Sequence, residues 1–149
     1  MTVDRIEREI LIAAPRERVW SLVTRPGFWV HDEDASAVDF HEGALVVSEH
    51  PELGRYPVRV EKIEPQRYVS YRWASTFPGE EPTEGNSTLI EFTLTDEAGQ
   101  TRLRVVESGF ASLAASDEER TKSYEANTGG WAEVMDEFKR RAEEVARGR

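Results

Sequence analysis

The residues able to do chemistry are scattered, and one carboxylate stands apart from the rest. In TRLRVVESGF, residues 101–110, alternation puts Leu103, Val105 and Glu107 on one face of a strand. A carboxylate on an apolar face needs hydrogen-bond donors, and desolvation there raises its pKa. Two readings stand. Glu107 lies at the strand end near water or pairs with an arginine such as Arg72; or it is a polar anchor for a ligand hydroxyl, or a general acid or base. The histidines sit beside acids, as His31-Asp32-Glu33-Asp34, His41-Glu42 and His50, yet no two have the spacing of a metal-binding motif. We assign no metal, no cofactor and no catalytic residue. The acid-rich segment Gly79 to Gly85 is not a phosphate loop, because it lies between strands and does not open a helix. No serine has the strand-turn-helix setting of an exposed nucleophile.

The elements that would position Glu107 follow from periodicity. Arg5–Ile12 alternates apolar and charged residues and reads as a strand. Pro15 suits the first position of a short helix carrying Val19, Trp20, Leu22 and Val23, which ends near Arg25-Pro26-Gly27. Strands are expected at Val38–His41, Leu45–Glu49, Tyr56–Glu64, Arg67–Ala74, Ser87–Thr95 and Thr101–Ser108, separated by turn signals short enough for hairpins. Ser116 followed by Glu119 is a capping-box pattern, opening a helix to about Ala146. Its stripe of Trp131, Val134, Met135, Phe138, Ala142 and Val145 recurs at helical period and needs a partner surface, the concave face of one antiparallel sheet. Gly129-Gly130 marks either a local kink or break, or a close backbone approach. The Phe28-Trp29-Val30 cluster is core packing from the short helix or a lid over a cavity mouth.

With 149 residues the chain is one domain, residues 1–149, long enough to bury a core. It has no cysteine, so disulfides, thiolate metal sites and thiol nucleophiles are excluded. Its 29 acidic against 19 basic residues, net charge −10, disfavour nucleic acid and anionic membranes. No signal-like or membrane-spanning run is present, so a cytoplasmic protein is the expectation, with no membrane insertion.

Four segments carry a family resemblance: IEREILIAAPRERVWSLVT, GRYPVRVEKIEPQRYVSYRW, STLIEFTLTDEAGQTRLRVVESGF and GGWAEVMDEF. In order and spacing the chain resembles the START-like superfamily (SRPBCC, birch-pollen-allergen fold), in the bacterial branch of activator of heat-shock ATPase homologues. The resemblance implies an α+β helix-grip fold, with about seven strands wrapped around the long C-terminal helix and a cavity between them. Members bind lipids, sterols or aromatic polyketides there, and some catalyse cyclisation or dehydration. The polar VHDEDAS segment after Trp29 departs from the family's usual apolar loop.

Parity and resemblance together nominate Trp29, Tyr71, Trp73, Phe92, Glu107, Tyr124, Trp131 and Met135 as ligand-binding residues. The expected function is binding of a small, largely apolar molecule. The alternatives are a polyketide cyclase or dehydratase, and a co-chaperone-like interaction module whose partner is a chaperone or a second copy of the chain.

Overall fold

The computed structural model describes residues 5–24, 41–50, 54–74, 77, 80–83 and 85–148. The elements run β1 (Arg5–Ile12), α1 (Arg16–Val23), β2 (Leu45–His50), β3 (Gly54–Glu64), β4 (Tyr68–Trp73), β5 (Thr88–Glu97), β6 (Gln100–Ser108), a 3-10 turn (Phe110–Ser112) and α2 (Asp117–Gly148). All five strand pairings are antiparallel, and the order across the sheet is β1-β6-β5-β4-β3-β2. This is the expected α+β helix-grip architecture, with six strands among the described residues where about seven were expected. Of the expected strand Val38–His41, all but His41 lies outside the described residues, as do the Phe28-Trp29-Val30 cluster and His31 to Ser36.

Local chemistry explains the joints. At the β5–β6 turn, Ala98 and Gly99 both take positive φ, 54° and 86°, the backbone of a tight turn whose twist matches a hairpin. Pro15 is the N-cap of α1 and not its first helical residue, one position earlier than expected: its φ of −71° and ψ of 155° are extended, while its carbonyl accepts from the N–H groups of Arg18 and Val19. The capping box at α2 forms in both directions. The Glu119 N–H donates to Ser116 Oγ at 3.1 Å, and the Ser116 N–H donates to Glu119 Oε1 at 3.2 Å.

The core lies between the inner face of the sheet and α2. Val58, Val60, Val69, Tyr71, Ile90, Phe92, Leu103 and Val105 meet Trp131, Val134, Met135, Phe138 and Ala142, all buried. Phe92 is its hub, edge-to-face with Tyr71 at 6.2 Å and with Trp131 and Phe138 at 5.8 Å each. Helix α2 runs through Gly129-Gly130 without a break, and a Cβ on either glycine would meet no atom within 4 Å. Neither a break nor a close backbone approach accounts for the pair.

Candidate functional site

Glu107 projects from β6 into the core with no exposed surface. It is paired in register with Ile6 on one side and Ile90 on the other, so its strand neighbours are aliphatic. Its carboxylate is held by donors from β4, β5 and α2. Oε1 accepts from Trp131 Nε1 at 2.7 Å, and Oε2 accepts from Trp73 Nε1 at 2.8 Å and Thr88 Oγ1 at 2.5 Å. The Asn127 side-chain amide is shared between both oxygens, at 3.1 and 3.2 Å.

Every one of these donors is neutral. The expectation that Glu107 lies near water or pairs with Arg72 is overturned. Arg72 points to the other face of the sheet, where its Nε meets Glu61 at 3.3 Å. Burial pushes the Glu107 carboxyl above its ordinary pKa, and the bonds from Thr88, Trp131, Trp73 and Asn127 pull back against that rise.

The nominated residues do not all meet at the carboxylate. Hydrogen bonds join Trp73, Glu107 and Trp131. Ring contacts attach Phe92 and, through it, Tyr71, whose hydroxyl donates to the Val23 carbonyl at the end of α1 at 2.5 Å. Burial holds the Tyr71 hydroxyl well above its ordinary pKa. Met135 is buried on the same helix face, one turn beyond Trp131. Tyr124 packs edge-to-face on Phe110 at 5.5 Å and is not among the donors to the carboxylate. Trp29 lies outside the described residues.

Sequence reasoning missed Thr88 and Asn127. Thr88 shares strand parity with Ile90 and Phe92, and Asn127 precedes Trp131 by four residues on α2, so both signals were present.

A long helix gripped against an antiparallel sheet, with a carboxylate pinned between them, defines a helix-grip domain of the START-like class. Within that class, the family model for Activator of Hsp90 ATPase homolog 1-like protein matches residues 13–143. The chain belongs to that family. Solved structures share its fold. Protein MLL2253 from Mesorhizobium loti is 23% identical with a TM-score of 0.69, covering 91% of this chain and 94% of that one. The Aha1 dimer from Colwellia psychrerythraea is 19% identical with a TM-score of 0.70, covering 94% and 96%. DynU16, a protein of the dynemicin biosynthetic locus, is 22% identical with a TM-score of 0.70, covering 95% of this chain and 48% of its own. A comparison with curated proteins gave no match. Among the described residues, no helix is long and apolar enough to cross a membrane.

Proposed function

We propose that the domain binds a small, uncharged, largely apolar molecule between the sheet and α2, with a donor group of the molecule facing Glu107. The observation that carries this reading is a fully buried carboxylate ringed, among the described residues, only by neutral donors. A buried charge without a cation is costly. An apolar residue in that place would serve a purely structural core better, so a polar duty at the site explains its presence. The Asn127 contact, split between two oxygens, is the longest in the ring, and it is the one a ligand hydroxyl would replace. Trp73 and Trp131, their indole N–H groups fixed on the carboxylate, would present ring faces to the ligand. Tyr71, Phe92 and Met135 would form the floor, with Tyr124 toward one end.

The test is titration with N-phenyl-1-naphthylamine, an uncharged fluorophore. A single saturable site is expected, abolished by Phe92→Trp, which fills the hub of the core. Binding undiminished in that variant would place the probe on the surface and overturn the reading. Native mass spectrometry of the purified protein would reveal a co-purified occupant.

A cyclase or dehydratase would use the same carboxylate as proton carrier. Its raised pKa suits that role, and its enclosure by donors on both oxygens opposes it. The interaction-module reading has one supporting feature. Leu45 and Val47, 42% and 38% exposed, lie on one face of β2 and are the exposed large hydrophobic residues among those described. Two side chains are far short of the several hundred Å² that marks an apolar docking surface.

A further inference from the structure

The outward face of the sheet carries a second constellation, unrelated to Glu107. Arg59 on β3 and Arg72 on β4 are direct cross-strand partners. Like charges in that relation, with Cβ atoms roughly 5 Å apart, repel. The register slips between Val60 and Lys62, a bulge that leaves Glu61 without a direct partner on β4 and aims its carboxylate at both guanidinium groups. Its contacts are loose: Oε2 lies 3.9 Å from Arg59 Nη1, and Oε1 lies 3.3 Å from Arg72 Nε. Arg59 Nη2 donates to the Pro82 carbonyl at 2.6 Å, which ties Arg59 to the loop before β5. Among the described residues, neither Nη nitrogen of Arg72 has a protein partner. The two arginines offer ten N–H donors to one carboxylate and one carbonyl.

Arg59 and Arg72 border an open cleft of about 490 Å³, completed by Thr83, Ser87, Leu89, Ser108 and Ser112. That volume suits a small organic molecule and exceeds what a bare inorganic ion needs. Ser87 Oγ donates to the Thr83 carbonyl at 2.6 Å, so the hydroxyl-bearing wall is itself held in place.

We propose that this cleft is a binding site for a small organic monocarboxylate, docked by its carboxylate on the Arg72 fork between Arg72 and Arg59. Charge count selects the monoanion. Two guanidinium groups against Glu61 leave one positive charge, which a carboxylate neutralises and a phosphate dianion exceeds. Exposed Glu80 and Glu81 on the adjoining loop, in a chain of net charge −10, add to the penalty for a dianion. The planar fork of arginine matches a carboxylate bidentately. Leu89 supplies an apolar patch for the body of the ligand, and the serine hydroxyls supply hydrogen bonds.

The test is a titration of the isotopically labelled full chain with benzoate, benzamide and phenyl phosphate at millimolar concentrations near neutral pH, read by NMR. Benzoate is expected to give saturable shifts at the amides of Thr83, Ser87, Ser108 and Ser112 and at the Arg72 side-chain N–H. Benzamide should give none, and phenyl phosphate should bind more weakly than benzoate. Arg72→Gln should lower benzoate affinity about tenfold. Arg72→Lys, which keeps the charge and loses the fork, should fall between. The proposal is overturned if benzoate gives no saturable shift, if benzamide or phenyl phosphate matches it, if Arg72→Gln leaves affinity unchanged, or if the shifts gather at the Trp73 and Trp131 indoles on the opposite face.

Discussion

Two glutamates, one on each face of the same sheet, are bracketed by donor groups in opposite ways. Glu107 on the inner face has two indoles, a hydroxyl and an amide at 2.5 to 3.2 Å and, among the described residues, no cation. Glu61 on the outer face has two guanidinium groups at 3.3 and 3.9 Å. Enclosure accounts for the contrast. A dry carboxylate is held by short, directed, neutral bonds, because burying a cation beside it would add a second desolvation cost. Near water, charge pairs with charge at looser distances, because solvent supplies what geometry does not. The inner site is therefore rigid, with the long Asn127 contact the one it can trade, and the outer one has donors to spare.

Trp131 is the member of the inner site whose loss should cost most. Trp131→Ala removes a buried indole, its edge-to-face contact with Phe92 and one bond to Glu107, and should destabilise the domain by about 3–5 kcal/mol. An unchanged chemical denaturation midpoint would break the model of a helix pinned to the sheet.

Glu107→Gln probes the charge itself. Whichever way the amide turns, its NH2 group faces an indole N–H, donor against donor, and we expect a loss of about 1–3 kcal/mol. The pH dependence sharpens this. Because the folded pKa of Glu107 is raised, its contribution to stability is fully present below the unfolded carboxylate pKa and is lost as pH rises through the folded value. The stability advantage of the wild type over Glu107→Gln should therefore be largest in acid and narrow as pH rises. Taking the difference between the two curves cancels Glu7, Glu97, Glu119 and Glu137, whose pKa values are lowered and which act in the opposite sense. A gap that widens with pH would refute the assignment.

On the outer face Glu61→Gln should change stability by no more than about 1 kcal/mol, and less in high salt, since these side chains are about one-third exposed. An effect as large as that of Glu107→Gln would erase the distinction between the two faces.

The inner site was more legible than the outer one, for a geometric reason. Parity is a local rule, and it placed Glu107, Trp73 and Phe92 on one face because β4, β5 and β6 pair without a register shift. Helical period did the same for Trp131 and Met135. Thr88 and Asn127 obey the same rules, but polar residues at the ends of apolar stripes read as boundaries. Arg72 was mistaken for a partner of Glu107 because charge complementarity suggests pairs without saying which side of a sheet they occupy. Glu61 could not have been foreseen, since a bulge breaks the alternation that parity relies on. The six described strands overlap their expected spans, with ends displaced by a residue or two.

The carboxylate ring also makes the protein its own clock. The Trp73 and Trp131 indole protons are both given to one buried anion, one from a strand and one from the helix that covers it. Neither can trade with deuterium while that grip holds. If the helix lifts as a unit, both protons exchange together. If the end of β4 frays first, Trp73 exchanges alone. The two exchange rates, measured side by side in the native protein, would thus time how often the grip opens and show which partner lets go.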